Sequence, residues 1–240
     1  MNIVIFIASI FLGSFLSSCV YNIPKGKTIF NFKYKSFIFE SIIYIISYLC
    51  KYFNNDFNLK KYNKLSKKYV VVELITMLTT ILVYNKYGFN QEFLKYIAVI
   101  YFLIVIASID LYTSNVYFKV SIIFFLFTNV CLGYKILIGS SIKNNIAGGI
   151  IGFLIICFII LTTNGMGWGD AEICFILGLF LGKDLIIPII LISFVLGGII
   201  GIYILILKIK SSKDYIPFLP FVFLATFTVI FFKEYLTIFL

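Results

Sequence analysis

Apolar residues run along the chain in long blocks separated by short polar stretches. Blocks of helix-crossing length fall at about 3–22, 69–85, 93–110, 120–138, 146–163, 171–182, 185–207 and 217–238. A helix that crosses a bilayer needs roughly 20 predominantly apolar residues at about 1.5 Å of rise each. The pattern therefore predicts an all-α, polytopic integral membrane protein with about eight transmembrane helices. The sixth block is short, and the seventh begins just after Gly182, Lys183 and Asp184. That spacing predicts a tight helical hairpin.

The polar stretches give the sidedness. With the N-terminus outside, segments 23–68, 111–119, 164–170 and 208–216 face the cytoplasm and hold fourteen of the twenty lysines. Lys25, Lys27, Lys33, Lys35, Lys51, Lys60, Lys61, Lys64, Lys67 and Lys68 crowd the first of these, as the positive-inside rule expects. Three regions follow: a first transmembrane helix over 1–22, a basic cytoplasmic loop over 23–68 and a transmembrane core over 69–240. Within the loop, Ser36 to Cys50 is apolar but too short to span, at about 22 Å as a helix. Ser36, Glu40, Ser47 and Lys51 share one narrow stripe of it, so it is expected to lie in the interface as an amphipathic helix. Leu16-Ser17-Ser18-Cys19 has the form of a lipoprotein cleavage box, but no basic residue precedes the apolar block, and the first helix is expected to be retained.

Composition narrows the chemistry. Of 240 residues, 62% are apolar and only 12% charged, so water is not the main solvent of this chain. A formal charge of +10 would point to nucleic acid in a soluble protein. Here the lysines punctuate membrane blocks, so the expected partners are membrane lipids and not nucleic acid. Histidine is absent, which removes imidazole bases, Ser-His-Asp and Cys-His catalysis and histidine-ligated metals. Cys19, Cys50, Cys131, Cys157 and Cys174 form no C-x-x-C pair. They read as small apolar fillers, and no metal site is expected.

Carboxylates are what remain. Glu73, Asp110, Asp170 and Glu172 lie in or beside apolar blocks, where a charge is costly and calls for a partner or a task. Two complete crossings separate Asp110 from Asp170, and an even number returns the chain to the same face. Asp170 closes the turn Gly165-Met166-Gly167-Trp168-Gly169. Gly165, Gly167 and Gly169 are expected to supply positive φ and close backbone approach, presenting the carboxylate beside a helix N-terminus. The same turn is also consistent with Asp170 as a plain N-cap. Two aspartates at the rim of a low-dielectric bundle share one proton. That suits an aspartic protease, and it suits a proton- or cation-coupled transporter.

The residues resemble the type IV prepilin peptidases, intramembrane aspartyl proteases with a G-x-G-D signature. Gly165 to Asp170 matches the segment of the second catalytic aspartate, and Ala107-Ser108-Ile109-Asp110-Leu111 that of the first. Gly13-Ser14-Phe15-Leu16 with Tyr21 and Pro24, Val72-Glu73-Leu74, and Ile216-Pro217-Phe218 with Pro220 follow the family's other landmarks in order. The resemblance implies Asp110 and Asp170 as the catalytic dyad and Gly165, Gly167 and Gly169 as the active-site loop. Glu73 and Glu172 are then acids of substrate or structural role. The substrates implied are type IV prepilins or pseudopilins, cut after a glycine at the cytoplasmic face of the inner (cytoplasmic) membrane. Proteolysis needs no cofactor, and S-adenosylmethionine enters only if the family's N-methylation of the product is retained. The sequence departs from the family in three places: the loop lacks paired zinc cysteines, Glu172 stands where lysine is common, and Val116-Tyr117-Phe118 lacks the usual proline.

The remaining motifs read as architecture. Gly148 and Gly152, Gly178 and Gly182, and Gly197 and Gly201 are G-x-x-x-G steps expected to let helices pack closely. Pro188, Pro217 and Pro220 mark helix entries or kinks. Lys95 and Lys135 are expected to snorkel to the outer interface.

Overall fold

A computed structural model describes residues 2–26, 67–163, 165–208 and 216–236. The expected interfacial helix at 36–50 lies outside them. Among the described residues eight helices longer than a turn follow one another: α1 Asn2–Asn22, α2 Lys67–Tyr87, α3 Gln91–Thr113, α4 Phe118–Leu137, α5 Lys143–Thr163, α6 Trp168–Leu181, α7 Lys183–Ile206 and α8 Leu219–Phe231. A 3-10 turn, Ile23–Lys25, closes α1, and a single turn, α9 Lys233–Leu236, follows α8. The described residues contain no strand.

Helices α1 to α5 and α7 are long and apolar enough to cross a bilayer, and the chain is a multi-pass membrane protein. Apolar side chains such as Val130, Phe158, Leu161 and Ile202 stand exposed on these helices, as a hydrocarbon solvent permits. The other two helices fall short of the full span. α6 has 14 residues and α8 has 13, about 20 Å each. The block expected to run over 217–238 breaks at Phe232, the C-cap of α8. The tight hairpin is tighter than expected: Gly182 alone separates α6 from α7, at φ 93°, which L side chains rarely adopt.

The chain divides into two compact units, Met1–Ile97 and Ala98–Leu240. In the first, α1 packs on α2. A Cβ on Gly13 would lie 3.3 Å from the Cα of Glu73 and would collide with Oγ1 of Thr76, so glycine is what lets the two helices meet. Hydroxyls buried in this seam satisfy themselves locally. Ser17 donates to the carbonyl of Ser14 at 2.9 Å, and Thr76 to that of Glu73 at 2.7 Å, which removes the cost of a polar group in an apolar solvent.

The second unit is built around α6, which packs against α4, α5 and α7. Ten of its 14 residues are buried, so protein and not lipid surrounds most of it. Gly148 on α5 and Gly178 on α6 meet backbone to backbone: a Cβ on Gly148 would fall 2.6 Å from the carbonyl oxygen of Gly178 and 2.5 Å from the carbonyl carbon of Gly182. Two of the three expected glycine steps therefore do pack helix on helix. At this end of the unit Asn145, buried at the start of α5, donates through Nδ2 to the carbonyls of Leu179 at 2.7 Å and Phe180 at 3.2 Å. Its Oδ1 accepts from Nζ of Lys135 at 3.0 Å. Lys135, in the last turn of α4, thus reaches a buried amide at the start of α5.

Candidate active site

Asp110 stands in the last turn of α3. That helix ends at Thr113, and Ser114 turns the chain with a left-handed φ of 52° while its N–H bonds the carbonyl of Asp110 at 2.8 Å. The Asp110 side chain is 1% exposed. Its Oδ2 accepts from the backbone N–H of Leu219 at 3.2 Å, and its Oδ1 is buried with no hydrogen-bond partner. Leu219 is the first residue of α8, where the helix leaves its first N–H groups without internal acceptors. Pro220 beside it has no N–H to satisfy and suits the first turn.

Asp170 is its counterpart at the start of α6, also 1% exposed. The N-cap of α6 is Gly167, so Asp170 occupies the third helical position and is not itself the cap. Its Oδ2 accepts from the N–H of Gly167 at 3.1 Å, reaching back across the turn, while the amide of Asp170 donates to the carbonyl of Gly167 at 3.0 Å. Oδ1 of Asp170 is again buried and without a partner. The two carboxylates are close enough for the charge of Asp110 to act on Asp170. Each is therefore held by one oxygen at the N-terminus of one of the two short helices, where backbone amides favour an anion. Each keeps its second oxygen uncommitted in a dry setting.

The glycine turn differs from expectation in one respect. None of Gly165, Gly167 and Gly169 has positive φ; Gly167 is extended at φ −86°, ψ 150°. Only Gly169 is demanded by packing, since a Cβ there would lie 2.6 Å from the Cβ of Val116. At Gly167 the nearest atom to such a Cβ is Oδ2 of Asp170 at 3.8 Å, and at Gly165 it is Oγ1 of Thr163 at 3.4 Å. A short turn into a helix satisfies its geometry with ordinary dihedrals, so close approach to the 114–117 segment accounts for one glycine and not three.

Beside Asp170 lies a cavity of about 260 Å³, walled by the turn, by Phe194, Gly197 and Gly198 of α7, and by Ile216, Phe218 and Phe221. The third glycine step packs against side chains and not against backbone: an added Cβ on Gly197 would lie 3.2 Å from Cδ2 of Phe221 on α8 and one on Gly201 3.9 Å from Cδ1 of Ile216, while Gly198 beside them faces open space.

Of the two glutamates, Glu172 belongs to the same unit as the aspartates and Glu73 to the other. Glu172 is half-buried on α6, with Ser121 of α4 near its carboxylate. The Ser121 hydroxyl is buried and makes no full hydrogen bond. Glu73 belongs to the first unit, where it is half-buried and its Oε1 accepts from the Ser17 hydroxyl at 3.2 Å. Leu219, Phe194 and Gly198 were not singled out in the sequence, and Val116 only as part of the stretch that lacks the usual proline. The Leu219 amide had a signal, because the prolines at 217 and 220 mark a helix entry whose first N–H must find an outside acceptor.

Within the described residues no group of three or more His, Cys, Asp or Glu is placed to hold a metal ion. Chemically, the site offers two buried carboxyls that act on each other through charge, one of them beside an apolar cavity. Comparison with known proteins adds one finding: residues 97–202, which contain both aspartates and most of the cavity wall, match the type IV leader peptidase family. No curated protein matches the chain, and no solved structure does.

Proposed function

Taking residues 97–202 as a type IV leader peptidase segment, and the chain as a membrane peptidase on that ground, we propose that it is an aspartic endopeptidase whose dyad is Asp110 and Asp170. The observation that carries this reading is the pair of buried carboxylates, each anchored by one backbone N–H and each with a free Oδ1. Neighbouring acids in a low dielectric keep one proton between them. The ionised member takes a proton from water as the water oxygen attacks the scissile carbonyl carbon. The protonated member gives its proton to the carbonyl oxygen. Collapse of the resulting diol breaks the C–N bond, the leaving nitrogen takes a proton from the pair, and the diol returns one. One proton remains on the dyad at the end, ready for the next cycle.

The substrates we propose are prepilins or pseudopilins, cut after a glycine at the cytoplasmic face of the cytoplasmic membrane, with the N-terminus of the enzyme outside. The resemblance of the sequence landmarks and the lysine distribution support this. No cofactor is assigned to proteolysis. Methylation of the new amine would require S-adenosylmethionine. Among the described residues those around the cavity offer one carboxylate, glycine backbone and apolar side chains, with no polar cradle for an adenosine or a methionine head, so no step is routed through that group.

Incubating the purified protein in lipid with a prepilin precursor tests the reading. Mass spectrometry is expected to find a leader ending in glycine and a mature chain beginning at the next residue. An uncut precursor, together with ion flux that depends on the two aspartates, would instead establish a transporter.

A further inference from the structure

We propose that Trp168, together with Leu111, Tyr112 and Phe118, anchors the turn that carries Asp170 in the headgroup layer of the bilayer, which makes this rim of the protein a lipid-binding surface. The inference stands on the multi-pass fold and not on the peptidase reading, and it holds equally for a transporter. Trp168 and Asp170 are two residues apart at the start of α6, about 200° around a helix of 3.6 residues per turn. The offset turns the carboxylate inward, where Asp170 is 1% exposed, and the indole outward, where Trp168 is 60% exposed. Among the described residues no ring stacks on the indole and no acceptor takes its N–H. The other three side chains come from the neighbouring segment. Leu111 and Tyr112 lie in the last turn of α3, 55% and 39% exposed, and Phe118 opens α4 at 67%. Val116, just before Phe118, packs against Gly169, so the two segments form one rim.

Depth and chemical mixture specify what covers that rim. Helices α3, α4 and α5 have 23, 20 and 21 residues and are apolar enough to span. At about 30–35 Å each they match a hydrocarbon core of about 30 Å. α3 ends at Thr113, α4 begins at Phe118 and α5 ends at Thr163, so the rim lies where the spans leave the hydrocarbon. Exposed polar residues are interleaved there with the apolar ones: Ser114 and Asn115 follow Tyr112 closely, and Lys119 follows Phe118. Bulk water would leave four large apolar side chains wetted, whereas hydrocarbon would strip Asn115 and Lys119 of their hydration. The headgroup layer accepts both kinds. Trp and Tyr, each an apolar ring with a polar end, concentrate at that level. Since Asp170 follows Trp168 by two residues, the anchor also fixes the depth at which the carboxylate sits.

The chain has one tryptophan, so its indole emission reports Trp168 alone. The full chain is placed in vesicles of phosphatidylcholine and phosphatidylglycerol. Emission is expected at shorter wavelength than that of free tryptophan in buffer, and acrylamide is expected to quench it severalfold less. Brominated phosphatidylcholine is expected to quench more strongly with bromine near the glycerol end of the acyl chain than with bromine near the methyl end. In a Trp168→Phe chain, Phe118→Trp is expected to repeat this pattern. Val130→Trp in the same chain sets the scale: it is 71% exposed and about 18 Å further along α4, and the order of the two brominated lipids is expected to reverse. Three results for Trp168 overturn the proposal. Acrylamide quenching equal to that of free tryptophan would put the rim in water. Quenching by neither lipid nor acrylamide would mean that protein covers it, as a second copy of the chain or a partner helix would. Quenching strongest from bromine near the methyl end would sink the rim into the hydrocarbon. None of these bears on whether Asp110 and Asp170 cleave a peptide, so the two readings fail separately.

Discussion

The backbone N–H of Leu219 donates to Oδ2 of Asp110 across 109 residues of sequence, at 3.2 Å. This bond joins the end of α3 to the start of α8 and leaves Oδ1 of the same carboxylate unpartnered and dry. The Gly167 amide does the equivalent for Asp170. A backbone amide cannot titrate and moves little, so both acids are positioned by groups that take no part in the proton traffic. On the proposed reading catalysis is carried by the pair alone, and its pH dependence belongs to the pair.

We therefore expect kcat/KM for precursor cleavage to be bell-shaped in pH. Activity is lost on the acid side as both carboxyls become protonated and no base remains, and on the alkaline side as both ionise and no acid remains. A steady-state pH series in lipid vesicles checks this. A profile with a single limb would show that only one of the two groups must change protonation state.

The glycines of the turn are not equivalent. Gly169→Ala places a Cβ 2.6 Å from the Cβ of Val116, and such overpacking costs about 1–3 kcal/mol. Cleavage is expected to fall accordingly, and Val116→Gly in the same chain is expected to restore part of it. Gly167→Ala meets only Oδ2 of Asp170 at 3.8 Å, in an extended backbone, and keeps the amide that Asp170 uses. Its activity is expected within about twofold of the natural enzyme, the scale of a substitution with no steric mechanism behind it. Initial rates of the three variants decide it.

A clash of backbone with backbone cannot be relieved by a rotamer. Gly148→Val inserts side-chain atoms where the Gly178 carbonyl already lies 2.6 Å from an ideal Cβ, and α5 must move off α6. A loss of more than about 3 kcal/mol is expected, read as a lower thermal midpoint in detergent. Gly133→Ala on α4, with nothing within 4 Å, is the matched control and is expected to keep the natural midpoint.

Asn145 joins three groups at the other end of the unit. Asn145→Ala leaves the carbonyls of Leu179 and Phe180 and the Lys135 ammonium without it, a loss of about 1–3 kcal/mol for buried groups left unsatisfied. The thermal midpoint is expected to drop. Asn145→Asp, which cannot donate to the two carbonyls, is expected to restore little of it.

Helix existence was legible because a bilayer imposes one period and one length on whatever crosses it, and each of the eight apolar blocks carries a helix among the described residues. The short sixth block is matched by α6, which its neighbours enclose; length failed only at the last block, where α8 ends at Phe231. That Asp110 and Asp170 lie toward one face could be counted from the two intervening crossings; how near they stand could not, since topology fixes only the face. The Leu219 amide, the Val116 contact and the opening at Gly198 could not be counted. They depend on how α7 and α8 pack beside α6, and a glycine reads the same in a sequence whether a neighbouring backbone or an empty cavity lies against it.

Each of Asp110→Asn and Asp170→Asn preserves size and an acceptor oxygen for the amide that holds it, while removing the acid. Gel mobility of a co-expressed prepilin in cells carrying either variant tests the dyad most directly. The account predicts full-length precursor in both, with the membrane protein present at normal amount. Mature pilin in either one would contradict it.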